Sequence, residues 1–358
     1  MSQAESPITP DLPLSEPAEP QRRRRLLRRP SFSIGNIDVG AGRSAIGEIP
    51  ISRLVTGNQI SIPINVFHGR NEGPVIWLSA AVHGDEIGGV EIIRRSLSSI
   101  DPKTLAGTIV AVPIVNVHGF LNGDRYLPDR RDLNRSFPGS PNGSLAARVA
   151  NLFMTEIVQR CDVGIDLHTG SDHRTNLAQI RADLDNPQTR DLAIAFGAPL
   201  MMHAKLRDGS MRAAATATGS TVLLFEGGEA WRFDRAAIDV AVAGIGRVLG
   251  RLGMIENGDS APDVAPVESR SSGWVRVRRS GIALLDVELG QIVERGQVIA
   301  TVRDSVGRQL SRTRANRSGM VIGQTQQPLV NQGDAIIHIA ELLDVDQSSR
   351  STGSEESP

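Results

Sequence analysis

The chain has a single cysteine, Cys161, in 358 residues. That excludes an intramolecular disulfide framework and a cysteine-rich zinc site, so any metal must be held by histidine and carboxylate. It also fits a cytoplasmic protein best. Lysine is nearly absent: Lys103 and Lys205 are the only two, and we read the arginine that replaces it mainly as genomic base composition. No run of about 18 apolar residues occurs, so no helical membrane span is expected. A formal net charge of −1 implies no nucleic-acid partner.

What is present is segregated. The first residues are acidic and proline-rich, and Arg22 to Arg25 with Arg28 and Arg29 form a basic run. This run invites a twin-arginine export reading, which we reject because Ser31 to Asn36 supplies no apolar stretch of signal length. Residues 1–30 and 344–358 cannot bury enough apolar surface to offset ordering entropy and are expected to be disordered.

Between these tails the chain divides in two. Pro74 to Val82 is a continuous apolar run, the mark of a strand covered on both faces. Ile87, Val90, Ile93 and Leu97 then recur at helical spacing, with Asp85 and Glu86 in the expected first turn. Strands are expected at Gly107 to Val115, Cys161 to Leu167 and Thr221 to Phe225, and helices at Leu145 to Val158, Asp191 to Phe196 and Ala236 to Leu252. A long polar loop is read between Asn116 and Gly143. The alternation argues for an α/β catalytic domain over residues 31–256 with a mixed, mostly parallel sheet and helices on both faces. Residues 257–272 read as a linker, and residues 273–343, short strands punctuated by glycine, as a small all-β domain.

Ligands of open α/β sheets gather beyond the carboxyl ends of the strands. Three such ends deliver His83 with Glu86, His168, and Glu226. Two imidazoles and a carboxylate are a common catalytic zinc set, with the remaining position left to water. His83, Glu86 and His168 are therefore candidate ligands for one zinc ion per chain, and Glu226 the candidate general base. Taken singly, each has a blander reading. Glu86 could cap a helix beside a surface histidine, His168 could be a core histidine bonded to Asp166, and Glu226 a loop acid. Their joint placement favours a site.

The segments H-G-D-E at 83–86, D-L-N-R-S-F-P-G at 132–139, D-L-H-T-G at 166–170 and F-E-G-G-E at 225–229 together resemble the succinylglutamate desuccinylase and aspartoacylase family, related to zinc carboxypeptidases. The resemblance runs from about Ser31 to Met254. It implies zinc on His83, Glu86 and His168, with Glu226 as base. It implies that Arg135, with Asn134 beside it, receives a substrate carboxylate, a role suited to a planar guanidinium. Asp132 resembles the acid that orients the first zinc histidine. Arg125 resembles the arginine that polarises the scissile carbonyl, though its longer spacing to Arg135 leaves Arg130 and Arg131 in competition. Arg212 matches a second substrate-binding arginine or a solvated helix arginine. Tyr126, the only tyrosine, lines the pocket or packs. His173 is a weaker candidate for a substrate contact, and no metal role falls to His68, His118, His203 or His338.

The run from Gly290 to Ile299, with Gly319 to Ile322 and Gly333-Asp334, is similar to a lipoyl- or biotinyl-type barrel-sandwich hybrid. It has no lysine, so it cannot carry a swinging-arm cofactor. Such an appendage is expected to pack on the catalytic domain, shaping the pocket mouth or a homo-oligomer contact. The expected activity is zinc-dependent hydrolysis of a small N-acylated amino acid or related amine. A carboxypeptidase-like peptide hydrolase and a non-catalytic metal-binding scaffold are the alternatives, and Glu226 argues against the scaffold.

Overall fold

A computed structural model describes residues 29–171, 173–256, 261–262 and 264–343. The disorder expected over residues 1–28 and 344–358 falls outside them. Arg29 and Pro30, read as tail, belong to the fold. The Arg29 guanidinium donates to the carbonyls of Gly69 and Gly107 and to Thr108 Oγ1 at 2.8–3.1 Å. His68 Nε2 donates to Pro30 O at 2.8 Å. Buried carbonyls left without partners are costly, and Arg29 bonds two of them, Gly107 O accepting from Gly69 N as well.

A small hairpin, β1 (Phe32–Ile34) with β2 (Ile37–Val39), precedes β3 (Arg43–Arg53), β4 (Gln59–His68), β5 (Asn71–Ala80) and β6 (Ala106–Val112). Then come β7 (Val163–Gly170), β8 (Arg174–Ala182), β9 (Leu200–His203) and β10 (Thr221–Glu229). The helices between and after them are α1 (Gly88–Leu97), α2 (Val117–Asn122), α3 (Leu145–Glu156), α4 (Pro187–Phe196), α5 (Met211–Ala217) and α6 (Arg235–Arg251). The C-terminal strands are β11 (Val267–Arg276), β12 (Gly281–Leu285), β13 (Ile292–Val293), β14 (Val298–Arg303), β15 (Gln309–Arg314), β16 (Gly319–Thr325), β17 (Leu329–Val330) and β18 (Ala335–Leu342).

One sheet runs β13-β16-β18-β11-β9-β8-β10-β7-β5-β6-β4-β3. Its centre, β6-β5-β7-β10, is parallel. The flanks are not: β3, β4 and β6 pair antiparallel, and β8 lies antiparallel to β10. Across residues 31–256 the sheet is mixed, with β8 and β9 also parallel.

Alternation on the central strands separates two cores. Ile76, Leu78 and Ala80 of β5 with Ile165 and Leu167 of β7 pack beneath α1, α4 and α6. Trp77 of β5 with Val110 and Val112 of β6 packs beneath α3 and α5. Helices thus cover both faces, as these doubly apolar strands require. Trp77 is fully buried over Gly164 of the neighbouring strand, where a Cβ would lie 1.9 Å from the indole ring.

Several local expectations are corrected. His168 and Glu226 lie inside β7 and β10, not beyond their ends, and are paired in parallel register. Asp85 and Glu86 precede α1, whose N-cap is Ile87, because Gly88 and Gly89 must open the helix: a Cβ at Gly89 would lie 2.6 Å from that of Ala80. The loop read from Asn116 contains α2, capped by the Asn116 side chain, and Cys161 precedes β7. β8, β9 and α5 were not foreseen.

The C-terminal strands have their own core around Val275, Val302 and Ile337, and β15-β14-β12-β17 form a separate sheet. Yet β11 begins at Val267, inside the stretch read as a linker, and pairs parallel with β9, while β16 pairs with β8. The great sheet therefore runs through both units. Leu200 and Met202 pack against Ile322 and Ala340 at that junction. No helix among the described residues is long and apolar enough to cross a membrane.

Candidate metal centre and active site

β5 ends at Ala80, and the chain turns through Ala81, whose φ is +48°, to bring His83 above the sheet. The turn is fixed by Val115 N on Ala80 O (3.0 Å) and Asn116 N on Ala81 O (2.9 Å). Gly84 allows the turn to meet α2: a Cβ there would lie 2.0 Å from Gly119 C. The motif glycine is therefore a matter of close approach.

His83, Glu86 and His168 converge, with one ligand atom from each lying within 4.8 Å of the others. His83 Nδ1 stands 2.7 Å from Glu86 Oε1, and His168 Nδ1 2.8 Å from Glu86 Oε2. The opposite ring nitrogens are held by acids: His83 Nε2 by Asp132 at 3.2 Å, and His168 Nε2 by Asp166 at 2.8 Å. Asp166 is steadied in turn by Ser79 Oγ at 2.8 Å. Asp132 thus takes the position expected of it. Asp166, weighed from sequence only as a bland partner of His168, is its counterpart on the second histidine.

The field of this cluster favours positive charge. Burial alone would keep the imidazoles neutral, but Glu86 with Asp132 raises His83, and Asp166 with Glu86 raises His168 well above the usual histidine range. Burial would raise Glu86, yet the two histidines hold it well below the usual carboxylate range. Burial likewise opposes Asp132, which His83 and Arg125 hold below its ordinary value. A divalent cation between two imidazoles and a carboxylate meets the same field, and the donor set suits zinc.

These residues open on a cavity of about 570 Å³ that Glu226, Arg125, Tyr126, Asn134, Arg135 and Arg212 also line. Glu226 Oε2 accepts from Asn176 Nδ2 at 2.9 Å. Arg125 donates to Ser171 Oγ at 2.7 Å, Asp132 Oδ2 at 3.1 Å and Glu86 Oε1 at 3.3 Å. Arg130 and Arg131 are exposed and do not line this cavity, so of the three competing arginines only Arg125 reaches it. Asn134 accepts from Met211 N through Oδ1 at 2.9 Å. Arg135, in the turn Leu133–Arg135, donates to Asn134 O. Arg212 is buried, not solvated, and gives its terminal nitrogens to Ala204 O and Lys205 O at 2.9 Å.

The cavity residues that were not anticipated include Ser171, Arg174, Asn176, Arg181, Trp274 and His338. Ser171 Oγ donates to Glu86 Oε1 at 2.7 Å and sits directly after the D-L-H-T-G motif, a signal within reach of sequence. His173 lines a neighbouring cavity with Asp85 and Trp231 instead. Cys161 is buried, and burial pushes its thiol up, which leaves it unreactive.

A family model described as the Succinylglutamate desuccinylase/Aspartoacylase catalytic domain matches residues 72–252. The chain is 30% identical over 334 residues to the N-alpha-acetyl-L-2,4-diaminobutyric acid deacetylase of Halomonas elongata, covering 88% of this chain and 97% of that protein. Its fold is similar to the product-bound ectoine utilization protein EutE (DoeB) of Ruegeria pomeroyi, with a TM-score of 0.75, 23% identity, and 84% and 97% of the two chains covered. A succinylglutamate desuccinylase/aspartoacylase structure from Rhodobacter sphaeroides gives a TM-score of 0.74 at 25% identity, covering 87% of this chain and all (100%) of that one. With its motifs, its α/β fold and these relatives in agreement, the chain belongs to the succinylglutamate desuccinylase/aspartoacylase family.

Proposed function

We propose that the protein is a zinc-dependent hydrolase of the acyl–amide bond of a small N-acylated amino acid, acting in the cytoplasm. The observation that carries this reading is the double orientation of the histidines, each Nδ1 turned to Glu86 and each Nε2 held by a separate aspartate. Carboxylates on the outer nitrogens fix tautomer and direction, as zinc-ligating histidines usually require. His83, Glu86 and His168 would hold the ion. Zinc bound there supplies Lewis acidity, polarising a carbonyl and making water a stronger acid.

The remaining chemistry belongs to the chain. Glu226, steadied by Asn176, takes the proton of the attacking water and returns it to the leaving amine. Arg125 donates to the oxygen that becomes negative in the transition state. Arg135, with Asn134, receives the amino acid carboxylate. Residues 31–256 form the catalytic unit, and residues 273–343 an appended β unit resembling a barrel-sandwich hybrid.

Elemental analysis tests the metal assignment. Wild type should carry one zinc per chain and a His83→Ala, His168→Ala double variant none; equal zinc in both would overturn the ligand set. Hydrolysis of N-acetyl, N-succinyl and N-formyl amino acids by the zinc-loaded protein, beside short peptides, tests the reaction class. Cleavage of peptides alone would favour the carboxypeptidase-like reading.

Arg135→Ala should raise KM about ten- to a hundredfold while turnover changes little. A contact made equally in ground and transition states gives uniform binding, and a charge-assisted hydrogen bond is worth about 1.5–3 kcal/mol. Against a substrate whose carboxylate is replaced by a neutral amide, wild type should lose about as much, and the variant little more. Equal losses in both would remove Arg135 from that contact.

A further inference from the structure

Trp274 and His338 lie beyond residue 256, yet they line the cavity that holds His83, Glu86, His168 and Glu226. Their rings stack at 4.7 Å with an interplanar angle of 12°, and Arg174 of β8 stands 5.1 Å over the Trp274 ring. His338 is buried and bonded through Nε2 to Ser272 Oγ at 3.0 Å. Burial, with Arg181 and Arg317 nearby, presses its imidazole down to about 3, so the stack is an uncharged plate. The placement is firm because β16 pairs with the Arg174 to Asn176 end of β8 and β11 with β9.

β8 itself is bulged. Between Asn176 and Gln179 it carries one residue more than the facing stretch Glu226 to Gly228 of β10. An extra residue reverses the alternation of side chains, and so Arg174, Asn176 and Arg181 all reach the same cavity. Arg181 has a buried Nε without a hydrogen-bond partner, and no ion pair holds it among the described residues. Its neighbour Arg212 is committed to two carbonyls. Among the described residues, and leaving aside Arg174, six lysine and arginine side chains line the cavity with three carboxylates, of which Glu86 and Asp132 are already engaged by His83 and Arg125. The unmet charge is positive, and a guanidinium with a free edge suits a carboxylate.

We propose that the C-terminal strands complete the substrate cavity, and that Arg181, walled by the Trp274–His338 stack, is the specificity-determining residue that receives a second carboxylate of the substrate. This rests on the reading of the protein as an N-acyl amino acid hydrolase. It separates the chain from a preference for a substrate ending in a cation, such as the one named for its Halomonas elongata relative.

The N-acetyl derivatives of aspartate, asparagine and 2,4-diaminobutyrate share one skeleton with an anionic, a neutral and a cationic end. On the zinc-loaded full chain, kcat/KM should fall in that order. Arg181→Gln should raise KM for N-acetylaspartate about ten- to a hundredfold, with kcat and the constants for N-acetylasparagine within about threefold. Arg181→Lys should recover part of the loss. Trp274→Leu should raise KM for all three substrates by a common factor of about two to ten, the worth of an aromatic face. Unchanged constants in that variant would remove the C-terminal strands from the cavity.

Calorimetry with succinate and butyrate reads the subsite without turnover. Wild type should prefer succinate and Arg181→Gln should not; a preference surviving in the variant overturns the proposal. If wild type cleaves none of the N-acetyl, N-succinyl and N-formyl amino acids while its succinate preference depends on Arg181, the hydrolase reading fails and the subsite stands. If wild type cleaves the diaminobutyrate derivative best, the subsite fails and the hydrolase reading stands.

Discussion

Glu226→Gln should keep its zinc and its fold and lose about a hundred- to ten-thousandfold in turnover, the range general acid–base catalysis contributes. The amide is nearly isosteric with the carboxylate and can still meet Asn176, so the strand pairing of β10 with β7 has no reason to shift. What it cannot do is accept the proton of the attacking water. Because the loss falls on a step made only in the transition state, KM should move by less than about threefold. Zinc content and thermal unfolding measured beside kcat separate this outcome from damage. A variant with full turnover would remove Glu226 from the chemistry, and one with lost zinc would make it a metal-site residue.

The placement of Glu226 also shows what local pattern can and cannot convey. Apolar runs ending in an acid or a histidine marked β5, β7 and β10 because strands buried on both faces stay mainly apolar until the chain nears the cavity. The same pattern ended the strands too early. His168 and Glu226 are polar, but they continue the ladder, since a side chain at a site does not stop backbone pairing. For His83 the sequence was sufficient: motif, strand end and Asp132 all lie close to their expected places.

β8 was not legible. Its sequence, Arg-Thr-Asn-Leu-Ala-Gln-Ile-Arg-Ala, has polar residues facing a cavity and a bulge in the middle, and the two together erase any period of two. Arg174, Asn176 and Arg181 were missed with it. Trp274 and His338 were hidden for a different reason. Their approach to the site depends on β11 joining β9 and β16 joining β8, pairings between distant segments that no window of sequence announces. Arg212 was legible as a residue but not as a contact, because the carbonyls of Ala204 and Lys205 that hold it belong to an unforeseen loop after β9.

Arg125→Gln should lower kcat by about a hundred- to a thousandfold with little change in KM, the usual loss when a donor to a developing oxyanion is removed. Arg125 is held against a candidate metal ligand: half-buried, in the cavity, and within hydrogen-bond reach of Glu86, Asp132 and Ser171 at once. Its partners hold it charged, since Glu86 and Asp132 outweigh the burial that opposes its charge. A cation so fixed needs no reorganisation when the carbonyl oxygen becomes negative, and an interaction that grows as charge develops acts on kcat and not on ground-state binding. Glutamine keeps one donor and most of the bulk but loses the charge and the fork. Lysine keeps the charge without the fork and should recover only part of the rate. Because Arg125 also touches Glu86 and Asp132, zinc content must be measured in each variant. Lost zinc would make Arg125 a residue that positions the metal ligands. A raised KM with unchanged kcat would assign it to substrate binding, leaving the oxyanion to another donor.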